Sequence, residues 1–285
     1  MERKLVRQGR NALTVTLPAK WLKQHSLSAG DSVFVREGNA QLTLSTALTA
    51  TKREATIDAR TYDRSMAYHL VLGKYIEGYD TITLLHQNPQ LAPELLHQML
   101  GMVLEEHTET RTVFRSIIAV PEENFLAVLR RAVHLLVQQA RTVEALAQGT
   151  VTREQVKADE KLLDQNLLYC LRYLNKYGTA EHQYRYFLLC ATIEAVGDQL
   201  SAISKYIGKQ RDLAKIIVTG ITEYSRLLFS NDLEKLYNAL RKFRSGLGTQ
   251  TFAEGLAYAL AETLYNYIGY LVETEKPDTQ NKTIK

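Results

Sequence analysis

REQVKADEKLLDQNLLYCLRYLNKY (153–177) and AEHQYRYFLLCATIEAVGDQLSAISKYI (180–207) decide the fold. Each carries apolar residues at the three-to-four spacing of an amphipathic helix. Only a short break at Gly178 separates them, so they are expected to pack as antiparallel neighbours. EKLLD sets Glu160 and Asp164 one turn apart on one helix face, and EAVGD does the same for Glu194 and Asp198. Glu160 and Asp164 lie 18 and 14 residues before Gly178, and Glu194 and Asp198 lie 16 and 20 after it. A turn at Gly178 therefore brings all four carboxylates to nearly one height, about 20–30 Å from the turn at 1.5 Å per residue. Four level acids repel one another unless a positive charge sits among them, and a hard metal cation is the expected partner. The plainer alternative is a solvated face with salt bridges to Lys161 or Arg172. Leu162, Leu163, Ile193, Ala195 and Val196 crowd the acids, which argues against that alternative, and Gly197 leaves room for another backbone to approach.

The helical pattern extends in both directions. NFLAVLRRAVHLLVQQARTVEAL (124–146) is a third helix, separated from the pair by Gln148-Gly149-Thr150. A weaker trio is predicted over 211–230, 232–245 and 250–274, broken at Ser230-Asn231-Asp232 and Ser245-Gly246. Its middle helix reads LRKFRSG where acids would be needed, and its last helix offers Glu262 and Asn266. One cation site rather than two is therefore expected. Residues 276–285 read as a disordered tail. Cys170 and Cys190 fall 8 residues before and 12 after Gly178, about 6 Å out of step, which predicts reduced core thiols.

Between residues 60 and 119 the pattern mixes helix and strand, indicating a small α/β module. Helices are expected over 62–78 and 91–100, a strand at TITLL (81–85), and a hairpin from MVLEEHTE and TRTVFRSI. Glu94 and His97 form a single Glu-x-x-His. Carboxylate-bridged di-iron bundles use two, so exposed polar positions are the better reading.

The first 48 residues read β-β-α-β-β. Strands at 3–8 and 12–17 flank a Gly9-Arg10-Asn11 turn, Pro18 opens a short helix, and two further strands flank Gly38-Asn39. So short a segment cannot bury a core confidently alone, and two intertwined copies would solve that. Residues 1–50 hold seven Lys/Arg against three Asp/Glu, which accounts for the whole net charge of +4 over 285 residues. An anionic partner is expected there. Nothing resembles a secretory leader or an uncharged apolar run of about 18 residues, so a cytoplasmic protein without membrane insertion is expected.

Two resemblances follow from these residues. Arg3-Lys4, Gly9, VTLPAKW with Pro18, and SAGD with Gly30 and Asp31 resemble the AbrB/MazE/SpoVT family of swapped-hairpin DNA-binding domains. That resemblance implies a homodimer presenting Arg3, Lys4, Arg7, Arg10, Lys20 and Lys23 to DNA. LCATIEAVGDQLSAISKYI and ADEKLLDQNL resemble the paired acidic motifs of the PhoU phosphate-uptake regulators, and the α/β module resembles the segment joining such halves in archaeal composites. This second resemblance implies a metal ion (iron, zinc, magnesium or calcium) at Glu160, Asp164, Glu194 and Asp198.

The expected protein is multi-domain and mainly α. A swapped-hairpin domain occupies 1–48, the α/β module 60–119, and PhoU-like antiparallel bundles of two three-helix repeats 120–275. The resemblances imply a phosphate-homeostasis regulator acting on DNA. The alternative is a regulator that contacts a phosphate ABC transporter or a kinase and uses its first domain only to dimerise. No Ser/His/Asp ordering and no phosphate-cradling glycine loop point to an enzyme.

Overall fold

The computed structural model describes residues 2–9, 12–37, 42–45, 52–117, 125–177, 180–230 and 232–267. The turns at Arg10-Asn11, Gly38-Asn39 and Gly178, and the tail 276–285, lie outside them. The chain divides into two compact units, 1–50 and 51–285.

In the first unit β1 (Val6–Gln8) pairs antiparallel with β2 (Ala12–Thr14), and β3 (Phe34–Glu37) pairs antiparallel with β4 (Leu42–Ser45). The short helix α1 (Ala19–Gln24) lies between the two hairpins, directly after Pro18. The SAGD turn closes through an Asp31 N–H bond to the Ser28 carbonyl at 3.1 Å, and the Asp31 carboxylate accepts from the Ser28 N–H at 2.6 Å. Gly30 takes φ +99°, a backbone conformation that a side chain would strain.

The second unit opens with a four-stranded sheet in the order β5-β6-β8-β7. Here β5 is Glu54–Asp58, β6 Thr81–Leu85, β7 Met102–His107 and β8 Arg111–Ser116. The helix α2 (Arg64–Ile76) makes the crossover between parallel β5 and β6, and α3 (Leu91–Gln98) leads to the β7–β8 hairpin. Alternation along the strands sends Ile57, Ile82, Leu84, Met102 and Phe114 into one core with α2 and α3. Asp63 caps α2 by accepting from the Met66 N–H at 2.7 Å.

Six helices follow: α4 (Phe125–Gln148), α5 (Arg153–Tyr177), α6 (Ala180–Ile203), α7 (Arg211–Leu228), α8 (Leu233–Ser245) and α9 (Phe252–Asn266). They form two trios, α4–α6 and α7–α9, packed through α4 on α7 and α6 on α9 around one continuous apolar core. Within α6, Gln183–Ile203 is long and apolar enough, by length and composition, to cross a membrane. Here it is a bundle helix that packs on α4, α5 and α9.

The α/β module is fastened to α5 by side chains that donate to carbonyls in the last turns of α2 and α3. Arg172 Nη1 donates to the Tyr75 carbonyl at 2.8 Å and Asn175 Nδ2 to the Ile76 carbonyl at 3.0 Å. Gln165 donates to the His97 carbonyl. Asp80 is paired with Lys176, and Arg172 Nη2 stands 3.8 Å from it. Arg172 is thus engaged with the module and is not the counter-ion of the acidic motifs.

Candidate nucleic-acid interface and acidic ladder

In the first unit no described residue is buried. Leu5, Val6, Leu13 and Leu42 are each more than half exposed. The register sets Arg7 opposite Leu13 and Val6 opposite Thr14, so cationic and apolar side chains share the hairpin's surface. Arg3, Lys4, Arg7, Lys20 and Lys23 are all exposed, as a phosphate-contacting set requires. Arg10 lies outside the described residues.

The four carboxylates do face one another along the α5–α6 seam, staggered by the same distance that their spacing from Gly178 implies. Glu160 Oε2 accepts from Ser201 Oγ at 2.7 Å, and a Cβ built on Gly197 would stand 2.6 Å from Leu163 Cδ2. The Cys190 thiol lies beside Cys170. These three pairings centre the helix pair near residue 180, about two residues beyond Gly178. The cysteines, expected out of step, are therefore in register, and both are free and buried. The same shift changes the order of the acids but not their spread, which is 14 to 20 residues from the centre whether that centre is Gly178 or residue 180. In height along α5 the order is Glu160, Asp198, Asp164, Glu194, spread over about 9 Å at 1.5 Å per residue. Among the described residues, no three His, Cys, Asp or Glu side chains are grouped so that they could hold one metal ion.

The ladder is nevertheless electrostatically strained. Asp164 is pushed up to about 7, first by burial and then by Glu160, Asp198 and Glu194. Glu194 is raised by partial burial of its carboxyl group and by Asp198, and Asp198 by partial burial. No lysine or arginine among the described residues forms an ion pair with any of the four. Tyr68 on α2 also feels Asp164, so the ladder borders the α/β module. Gly197 admits the Leu163 side chain, not a backbone, and its carbonyl accepts from Gln139 Nε2 at 2.9 Å.

The second trio differs. Arg244 Nη1 binds Glu262 Oε1 at 3.0 Å and its guanidinium lies 4.3 Å from the Tyr265 ring centroid. Asn266 Nδ2 donates to Glu262 at 3.4 Å. Glu94 of the single Glu-x-x-His pairs with Arg64, and His97 is exposed. Sequence reasoning missed a further polar site, in which Thr112 joins His86 to His107. Only the sheet register could have revealed it.

Residues 6–53 match the MazE family, described as antidote-toxin recognition MazE, bacterial antitoxin. The N-terminal unit is a MazE/AbrB-type domain. The basic hairpins and the Pro18 helix lie inside that match. A MazE-type domain is a module of DNA-binding or antitoxin type, and such domains dimerise. No curated protein and no solved structure matches the chain. The remainder of the chain is a mainly helical partner to the MazE-type domain.

Proposed function

We propose that the protein is a non-enzymatic, cytoplasmic DNA-binding regulator whose helical half is a cation-dependent sensor. The observation that carries the first part is the MazE-type domain, in whose 1–50 unit no described residue is buried. A second copy, interlaced with the first, would cover Leu5, Val6, Leu13 and Leu42. At about 25 cal/mol per Å² of apolar area buried, that is the driving force for a homodimer. Arg3, Lys4, Arg7, Lys20 and Lys23, with Arg10, would then contact operator phosphates.

The second part rests on the ladder. Its four donors are hard carboxylate oxygens, the class that magnesium, calcium or oxidised iron prefers, and zinc also accepts carboxylates. As placed, the side chains do not converge. Glu194 and Asp198 are exposed, and rotation of these two would close the set on an ion between α5 and α6. Resemblance to the PhoU regulators supports phosphate uptake as the process served. It rests on the two acidic motifs and on the α/β module that precedes them.

The experiment is selection of genomic DNA by the full-length protein, with and without phosphate, followed by salt titration on the selected sites. The proposal expects a steep salt dependence, with the log–log slope falling by about one for each of Arg3, Arg7 and Arg10 changed to alanine. No binding at low salt, or binding indifferent to all three changes, would remove the DNA reading. A second reading is a regulator that contacts a phosphate ABC transporter or kinase, with the MazE-type domain serving as dimeriser. The exposed aromatic residues Tyr184 and Phe187 on α6 favour such a contact. Recovery of transporter subunits from nuclease-treated lysate, lost in Tyr184→Ala/Phe187→Ala, would support it.

A further inference from the structure

The tip of the α/β sheet holds a polar cluster that the reading above does not use. His86 follows β6 and is only 2% exposed, whereas His107, at the end of β7, is open to solvent. Thr112, fully buried on β8, stands between them. Its Oγ1 lies 2.8 Å from His86 Nε2 and 3.0 Å from His107 Nδ1. His86 Nδ1 is buried without a hydrogen-bond partner. The backbone N–H of His86 donates to the Thr110 carbonyl at 2.9 Å, so the same residue fastens the hairpin tip to the end of β6.

A threonine hydroxyl has one proton to give. Between two neutral imidazoles it satisfies both contacts only by accepting from one ring and donating to the other. If His107 Nδ1–H donates, His86 must carry its proton on Nδ1, where a buried donor has no acceptor. The favoured arrangement is therefore His86 Nε2–H to Thr112, and Thr112 O–H to His107 Nδ1. Protonating His107 abolishes its Nδ1 acceptor. The hydroxyl must then turn to His86 and force the costly tautomer, or accept from both rings and leave its own proton unbonded in a buried site.

We propose that His86, Thr112 and His107 form a proton-sensing clasp, in which protonation of exposed His107 passes through the Thr112 hydroxyl to buried His86 and loosens the β7–β8 tip from the end of β6. The titratable groups acting on His86 fit this arrangement. Burial and His107 hold it below the ordinary histidine range, and Glu109, in the hairpin turn, opposes them. In the unfolded chain His86 takes its proton at higher pH than in the fold. Its contribution to stability is therefore complete at alkaline pH and declines as pH falls through about 6.5, the ordinary histidine value.

Long-range proton–nitrogen spectra of the full chain from pH 8 to 5, combined with amide exchange, test the clasp. The expected result at pH 8 is His86 with its proton on Nε2. As His107 takes up its proton, the ring nitrogens of the still neutral His86 shift. Over the same range its amide exchanges about ten-fold faster after correction for intrinsic rates. His107→Gln should abolish both responses. Thr112→Val should remove the ring-nitrogen response while His107 still titrates, and Thr112→Ser, which keeps the hydroxyl, should preserve it. A His86 ring that ignores the His107 titration would overturn the proposal. So would a response that survives His107→Gln or Thr112→Val, or one lost in a folded Thr112→Ser.

Discussion

The two helical trios use the same packing devices on different electrostatic terms. In the first, Glu160, Asp164, Glu194 and Asp198 crowd the α5–α6 seam with no lysine or arginine among the described residues to balance them, and Asp164 holds its proton to about pH 7. In the second, Arg244 neutralises Glu262 directly and stacks on Tyr265. Glycine shows a parallel divergence. A Cβ on Gly197 would meet one methyl of Leu163 at 2.6 Å, whereas a Cβ on Gly220 would enter the Phe243 ring at 2.4–2.5 Å. The second trio is complete as a structure, and the first carries a charge deficit that a cation would relieve.

The largest effect expected within this comparison is at Gly220. The Phe243 ring is rigid and held in the core, so Gly220→Ala should lower unfolding free energy by about 2–3 kcal/mol in chemical denaturation. A neutral result would mean that the α7–α8 seam is looser than its geometry shows.

Next comes the pH dependence of the metal-free protein. Folded Asp164 keeps its proton to higher pH than the unfolded chain does, so stability falls as pH rises from about 4 to about 7. Allowing for partial solvent screening, the loss should be on the order of 2 kcal/mol. Asp164→Asn should flatten the profile in that window, and magnesium or calcium should reverse the loss in the wild type. A wild-type profile already flat would contradict the charge-deficit account.

Arg244→Ala should cost about 1 kcal/mol, since the pair with Glu262 is only partly buried. Adding Glu262→Gln should restore most of it, which thermal melts of the single and double variants can check. The smallest effect belongs to Gly197→Ala. A Cβ there meets one Leu163 methyl rather than a ring, and the gain in helix propensity of about 1 kcal/mol offsets the crowding. A net change within about 0.5 kcal/mol is expected, in contrast with Gly220→Ala.

Much of this contrast was legible in the sequence, because long 3.6-residue periodicity is a strong signal. The six bundle helices, the TITLL strand over Thr81–Leu85, and the basic substitution of the second trio could all be read from pattern and charge. The basic hairpin segment around Pro18 pointed to the domain that residues 6–53 match. What pattern could not supply was register. A glycine marks where a helix ends, not where the antiparallel pair is centred, and the two-residue offset re-ordered the acids along the seam and aligned Cys170 with Cys190. Arg172, a candidate salt-bridge partner of the acids on the plainer alternative, instead bonds Tyr75, 97 residues away. The strands that carry the His86–Thr112–His107 cluster were legible, but the cluster depends on their register and on a bulge between Leu104 and Glu106, which the residues do not announce.

The most direct test of the central claim is metal content after equilibrium dialysis against magnesium, calcium, iron or zinc, compared between the wild type and Glu160→Ala/Asp198→Ala. The account predicts one retained cation per wild-type chain for at least one of these metals and none in the double variant, with the fold intact by circular dichroism. Equal metal content in the two proteins, or no retained cation in the wild type, would contradict it.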